Sequence, residues 1–332
     1  MLIIFFIFIA IINYFGLKLF ILIAEKNNIV AIGNNKNMHQ GSIPRGGGLI
    51  FGSAYIILIT SLYLNNSFQF NFFLPVIFGS FSCLLLGFLD DVYDFRITTK
   101  LVSQILIILI LIFNLNFMNM YQNSLILNTL NFVFITIFIS WMLNAFNFLD
   151  GSDGHLSCIA IMQCILMIVG LYINNEIDLI LPLFFLLSVI LVFLNFNWPP
   201  ARVFMGDAGS LFIGINFIIF IIISIQNSFL TPYLILIIFS YFFIDTLGTL
   251  VLRVFLKKSF RFRHRSHPYQ NFSRIFNHKK TLVNVIAFHM VWLLPIVVFG
   301  SLYESYQIYL TIIAILPLLI FLVKFGPLFS SD

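Results

Sequence analysis

Long apolar runs separated by short polar breaks dominate this chain. About eleven of them are long enough to be membrane helices: 2–24, 46–64, 72–89, 101–118, 131–149, 155–173, 178–195, 209–226, 231–254, 281–299 and 306–325. A span needs about 20 mostly apolar residues to cross a hydrocarbon core about 30 Å thick. The expected fold is therefore an all-α polytopic membrane protein of about 11 transmembrane helices. The largest polar stretches, 25–45 and 255–280, leave no room for a long soluble domain. Residues 1–332 thus read as one integral-membrane domain, with polar motifs over 39–270 and the last two helices over 281–325. The first run has no basic leader and no small-x-small cleavage site after it, so it reads as a retained first helix.

The basic residues orient this bundle. Of the 17 Lys and Arg, all but Lys18 and Lys324 lie in or beside alternate connections, namely 25–45, 90–100, 150–154, 196–208 and 255–280. The other connections (65–71, 119–130, 174–177, 227–230 and 300–305) hold none. The N-terminus is expected outside, with the basic loops and the C-terminus in the cytoplasm. Basic residues confined to the membrane surface give no support to a nucleic-acid partner. Cys83, Cys158 and Cys164 all fall in apolar runs without CxxC spacing. They read as buried apolar side chains, with no disulfide framework or zinc site.

Composition changes this picture at one kind of place. The chain is 61% hydrophobic and 9% charged, yet six of its twelve acids sit in three short blocks. These are Asp90-Asp91-Val92-Tyr93-Asp94, Asp150-Gly151-Ser152-Asp153-Gly154 and Gly206-Asp207-Ala208-Gly209-Ser210, all on the expected cytoplasmic side. Asp costs roughly 2.5 to 3.5 kcal/mol at the centre of a membrane helix, so acids in or beside spans start as functional candidates. If the third helix runs through its block, Asp90 and Asp94 stack one turn apart with Asp91 turned about 100° away. Such a pair suits a shared Mg²⁺ or a proton acceptor; the alternative is a solvated helix end with Asp94 paired to Arg96 or Lys100. Asn144 and Asn147 share a face just before Asp150 and Asp153, and the donors and acceptors of Asn and Asp suit a hydroxylated or nucleoside ligand. Asp207 follows the helix-stopping Pro199-Pro200 and precedes a new helix. There it suits an N-cap or a metal ligand presented to a diphosphate, two roles that can hold together.

Two basic loops complete the candidates. Arg261-Phe262-Arg263-His264-Arg265-Ser266-His267-Pro268-Tyr269-Gln270 alternates Arg and His, which grip phosphate oxygens. A lipid anchor would explain Lys257 and Lys258 but not the two His. His39-Gln40-Gly41-Ser42-Ile43-Pro44-Arg45-Gly46-Gly47-Gly48 adds one cation, Arg45, in a glycine-rich turn. Asp245, inside the ninth run, either lines the site, supports the histidine loop or bonds a neighbouring helix. His155 and His289 read as structural.

The stretches HQGSIPRGGGL, GFLDDVYDF, NAFNFLDGSDG, NWPPARVFMGDAGSLFIG and HRSHPYQ, in that order from residue 39 to 270, resemble the polyprenyl-phosphate N-acetylhexosamine-1-phosphate transferases. The resemblance implies transfer of an N-acetylated aminohexose-1-phosphate from a UDP-sugar to undecaprenyl phosphate, with release of UMP. It implies a multi-pass enzyme of the bacterial cytoplasmic (inner) membrane whose site faces the cytoplasm, and a Mg²⁺ requirement with Mn²⁺ as the substitute. A homodimer is within the family's range. By the same match Asp207 is a metal ligand, Asp90 a base or activator of the lipid phosphate, and Asp91 also implicated. Asn147, Asp150, Asp153 and Phe204 line the nucleotide-sugar pocket, and His264 and His267 lie by the diphosphate. Asn144, Arg45 and Arg265 join the substrate-binding set on the chemistry above. HRSHPYQ differs from the HxHH-type loop of the peptidoglycan enzyme and is closer to the O-antigen and capsule-initiating branch. HQG resembles the GlcNAc-1-phosphate branch, and His155 stands where Leu is usual. The pentapeptide transferase of peptidoglycan synthesis is the alternative within the family. A lipid or sugar flippase is the alternative outside it.

Overall fold

The computed structural model describes residues 2–26, 30–32, 42–115, 125–257 and 266–329. Helix α1 (Leu2–Lys26) leads to a short antiparallel ribbon, β1 (Val30–Ile32) and β2 (Ser42–Pro44), which pairs Ala31 with Ile43. Then follow α2 (Gly47–Leu64), α3 (Phe70–Tyr93), α4 (Ile97–Asn114), α5 (Leu125–Leu149), α6 (His155–Ile173), α7 (Ile180–Asn197) and α8 (Gly206–Gln226). The remainder is shorter and more broken: α9 (Pro232–Ile238), α10 (Ser240–Phe243), α11 (Thr249–Phe255), α12 (Pro268–Phe276), α13 (His278–Ala287), α14 (Leu294–Leu302) and α15 (Gln307–Phe325). Among the described residues ten helices or helix runs are long and apolar enough to cross a membrane, or eleven if the bent run Pro232–Phe255 is one span.

Two expectations about helix ends change. The ninth run is not a straight span, because α9 and the helix that follows meet at Phe239 with a bend of 71°. Beyond the bend the chain passes through a π-helical stretch, Ile244–Gly248, before α11. A second π-helical stretch, Phe288–Leu293, joins α13 to α14. The third helix stops at Tyr93: Asp94 turns left-handed (φ 48°) and its N–H closes on the carbonyl of Asp90. Asp94 is exposed and does not continue the face of Asp90.

The chain divides into two compact units, residues 1–150 with 188–223, and residues 151–187 with 224–332. In the first unit α1 to α5 pack each against the next where the chain is described. Its core is aromatic: Phe51 lies against Phe193 and Phe212, and Phe146 stacks on Phe217 with centroids 5.7 Å apart. Polar ties cross this core with their bonding satisfied, as an apolar surrounding demands. The Ser80 hydroxyl donates to Asn216 Oδ1 (3.0 Å), and Asn144 donates to Gln104 Oε1 (2.9 Å).

In the second unit α6 packs on α13 and α14, while α15 runs along α9, α12 and the first π-helical stretch. Asn271 fastens α12 to the end of α15 through the carbonyl of Phe325 (2.7 Å). Both units keep large apolar side chains on their outsides, such as Phe15, Phe113 and Phe134 in the first and Val291, Tyr309 and Ile320 in the second. Exposed apolar faces on satisfied helices are what a lipid solvent selects. The three cysteines are buried and unlinked.

Candidate active site

The first unit gathers a group of charged and polar residues at the ends of four helices. Asp90 and Asp91 form part of the last turn of α3, Lys100 stands in the first turn of α4, Asn147 near the end of α5, and Asp207 at the second residue of α8. Arg45 reaches them from the residue after β2. Its Nε lies 3.0 Å from Asp91 Oδ1 and its Nη2 2.6 Å from Asp207 Oδ1. Lys100 Nζ bridges Asp90 Oδ2 (2.9 Å) and Asp207 Oδ2. Asn147 Nδ2 donates to the same Asp207 oxygen at 3.0 Å. Three carboxylates and two cations thus form one network. Burial opposes the charge of Arg45 most strongly, but Asp91, Asp207 and Asp150 together outweigh it and raise its pKa.

Asp91 and Asp207 have different work. Asp91 accepts the first amides of α8, those of Asp207 (3.0 Å) and Ala208 (3.1 Å), one on each oxygen. These are donors that a helix start leaves unsatisfied. The cap of α8 therefore comes from α3, and the side chain of Asp207 is left to face Arg45, Lys100 and Asn147. Asp90 is divided: Oδ1 accepts the amide of Phe95 (3.0 Å) and Oδ2 meets Lys100.

Glycines let these ends approach. At Gly206 (φ +72°) a Cβ would meet the Asp91 carboxylate. At Gly48 it would meet the backbone of Gly209, and at Gly87 the backbone of Asp207 and Ala208. The amides of Gly46 and Gly47 both donate to the carbonyl of Phe204 (3.1 and 3.0 Å), and that of Gly48 to Met205 (2.9 Å). The glycine-rich turn that carries Arg45 is thus the seat of α2 against the start of α8.

Asp207 and Asp90 are the two carboxylates that a divalent cation would have to use here. Among the described residues no three His, Cys, Asp or Glu cluster closely enough to enclose a metal. Mg²⁺, however, is usually held by one or two carboxylates with substrate phosphates and water completing the shell. Asp90 and Asp207 already converge on one positive charge, the Lys100 ammonium.

The structure places the sequence candidates unevenly. Arg45, Asp90, Asp91, Asn147 and Asp207 come together, and Asp150 adds its charge to Arg45. Asn144 does not join them: its amide is held by Gln104 and by the Ser140 carbonyl (2.8 Å), so it ties α5 to α4. Phe204 enters through its backbone, pairing with Pro44 and the glycine turn. Asp153 is buried in the second unit, in the turn before α6. His267 is buried there too, with Nδ1 3.0 Å from Asp245 Oδ1. His264 and Arg265 lie outside the described residues. His155 is structural, stacked on Tyr269 (centroids 3.8 Å, planes 11° apart). Sequence reading missed Lys100 as a site residue. Its signal was a cation in the first turn of a span, where charge is costly.

The model of glycosyl transferase family 4 matches residues 73–225, a stretch that contains Asp90, Asp91, Lys100, Asn147 and Asp207. Over 310 residues the chain is 22% identical to a probable undecaprenyl-phosphate N-acetylglucosaminyl 1-phosphate transferase of Bacillus subtilis (strain 168), covering 90% of this chain and 84% of that protein. An undecaprenyl-phosphate alpha-N-acetylglucosaminyl 1-phosphate transferase of Thermotoga maritima is 25% identical over 283 residues, 85% of this chain and 86% of its own length. A phospho-N-acetylmuramoyl-pentapeptide-transferase of Latilactobacillus sakei subsp. sakei is 31% identical over 195 residues, 53% of this chain and 59% of its own.

Proposed function

We propose that this chain, whose residues 73–225 match the model of glycosyl transferase family 4, transfers an N-acetylated aminohexose-1-phosphate from a UDP-sugar to undecaprenyl phosphate. The products are undecaprenyl-diphospho-sugar and UMP, the first lipid-linked intermediate of a cell-envelope polysaccharide of the O-antigen or capsule type. The observation that carries this reading is the convergence of Asp90, Asp207, Arg45 and Lys100 at helix ends. Two relatives that match most of this chain are both named for N-acetylglucosaminyl 1-phosphate transfer, which supports an N-acetylhexosamine donor over the pentapeptide one.

In the proposed reaction an oxygen of the lipid phosphate attacks the β-phosphorus of the UDP-sugar. The bond from that phosphorus to the bridging oxygen breaks, and UMP leaves with the bridging oxygen and the electron pair. Little covalent work falls to the protein in such a step, which is governed by positioning and charge. Asp207 and Asp90 would hold Mg²⁺, which when bound neutralises charge on the diphosphate. Asn147 orients the Asp207 carboxylate. Arg45 and Lys100, released from their carboxylates, are the cations within reach of phosphate oxygens. Asp91 keeps the start of α8, and with it Asp207, in place. The confinement of Lys and Arg to alternate connections supports a site on the cytoplasmic face of the inner membrane, where the donor would be soluble and the acceptor anchored.

The test is UMP release by the purified protein with undecaprenyl phosphate, Mg²⁺ and a panel of UDP-N-acetylaminohexoses. The wild type is expected to turn over at least one donor and to stop when the metal is chelated. Asp207→Asn should fall by about a hundredfold or more, the scale of removing one transition-state charge partner. Wild-type rates in Asp207→Asn, or no release with any donor, would overturn the reading.

A further inference from the structure

The second unit carries an exposed corner of cations and aromatic rings that the reaction above does not use. Two of its helix runs are long and apolar enough to cross a membrane, His278–Leu302 and Glu304–Phe325. Lys279 and Lys280 stand at the start of the first, and Lys324 at the end of the second. Helix α12 packs on both, through α13 and α15, with the rings of Phe272 and Phe276 against Phe325 (centroids 5.1 and 6.5 Å). Asn277 then turns the chain into α13 and caps it, its Oδ1 accepting the Lys280 amide at 3.0 Å. The sidedness of α12 is the reverse of a helix in water. Tyr269, Gln270, Asn271 and Ser273 are buried, whereas Arg274, Ile275 and Phe276 are exposed. A water-facing helix turns its apolar residues inward. One at the headgroup level of a bilayer presents apolar and basic side chains to the lipid together.

We propose that this corner is a binding site for an anionic phospholipid, with Arg274, Lys279, Lys280 and Lys324 serving its headgroup and Ile275 and Phe276 its chains. The charge there is unbalanced. All four cations are exposed, and among the described residues none of them meets a carboxylate. Of the acids among this unit's described residues, Asp153 and Asp245 are buried. Glu176, Asp178 and Glu304 follow the far ends of α6 and α14, which lie together where Gly170 nears Ser301. Two of the cations are steadied by neighbours of their own. Arg274 Nη1 donates to Asn271 Oδ1 at 3.2 Å, and Lys324 Nζ lies over the Phe325 ring, 5.4 Å from its centroid. Basic side chains at a bilayer surface lay their stems on apolar surface and hold their charge at the headgroups. Each then adds to the attraction for anionic lipid, whereas a zwitterionic lipid gains far less from the surplus. Orientation of the bundle alone would ask only for cations in the connections. It would not ask α12 to expose its apolar side.

The experiment titrates full-length protein in detergent with phosphatidylglycerol or phosphatidylcholine, counting bound lipids by native mass spectrometry and recording the melting temperature. Both readouts stand whether or not the protein releases UMP. The wild type should bind phosphatidylglycerol at least about tenfold more tightly than phosphatidylcholine at low salt, with the preference shrinking as salt is raised. Arg274→Gln, Lys279→Gln, Lys280→Gln and Lys324→Gln should each weaken phosphatidylglycerol by roughly fivefold, and the quadruple variant should bind the two lipids alike. A second quadruple variant removes exposed cations elsewhere, Lys26→Gln/Arg96→Gln/Arg202→Gln/Lys257→Gln, and should keep the preference. Ile275→Ser/Phe276→Ser should weaken both lipids without changing their ratio. Lipid-free melting temperatures near that of the wild type identify the folded variants, and the single variants carry the test if the quadruple one does not fold. Equal binding of the two lipids by the wild type would overturn the proposal, as would equal losses in the two quadruple variants. So would a second copy of the chain on this face, seen as dimers that Ile275→Ser/Phe276→Ser disperses and phosphatidylglycerol does not.

Discussion

Asp91 commits one carboxylate oxygen to each of two backbone amides 116 and 117 residues away, and Arg45 shares the first. Removing that carboxylate strands two donors at the buried start of α8. Asp91→Ala should therefore lose about 1 to 3 kcal/mol for each buried donor left unmet, seen as a lower melting temperature in detergent. Asp91→Asn retains one acceptor and should fall between. Lys100 makes the opposite prediction. It stands between Asp90 and Asp207, so Lys100→Gln leaves two carboxylates facing each other without their shared cation. Melting curves with and without Mg²⁺ should show the variant destabilised in chelator and stabilised by Mg²⁺ more than the wild type is. Equal Mg²⁺ shifts in both proteins would argue against a cation site at that pair.

At the scale of elements, the site depends on how closely helix ends can approach. Gly48 meets the Gly209 backbone where a Cβ would sit, whereas a Cβ at Gly300 would find ordinary contacts at 3.4 Å. Gly48→Ala should cost about 1 to 3 kcal/mol by overpacking and cut UMP release with it; Gly300→Ala should leave both nearly unchanged. The spans were legible because a membrane helix is written in consecutive residues: 155–173 is α6, and 209–226 lies within α8 (Gly206–Gln226). The bend at Phe239 was not, since no Pro or Gly stands there and residues 233–244 are apolar except for Ser240. The acids were legible by their cost in an apolar chain, and Asp245 by the same argument. Their division of labour was not. That Asp91 rather than Asp207 caps α8, and that Asn144 ties helices, depends on partners between 40 and 117 residues distant, which local spacing does not encode.

At the scale of the molecule, one asymmetry of charge predicts which way the bundle faces. Cysteines placed at Asn66 and Glu176, in connections without Lys or Arg, should react with an impermeant maleimide in intact cells. One placed at Arg202 should react only after permeabilisation. The three native cysteines are buried, so background labelling should be low. Labelling of 202 in intact cells would reverse the orientation. The ion-pair network has a further consequence for biogenesis. Asp91 waits 116 residues for the amides it caps, about 6 to 23 s of synthesis at about 5 to 20 residues per second. Throughout that interval Arg45 is available to Asp91, and Lys100, only ten residues on, to Asp90. Both acids can therefore enter the bilayer already neutralised, before α8 has left the ribosome. The arrival of Asp207 then joins two pairs into one centre, so the charged network is completed last, from pairs that can form before it.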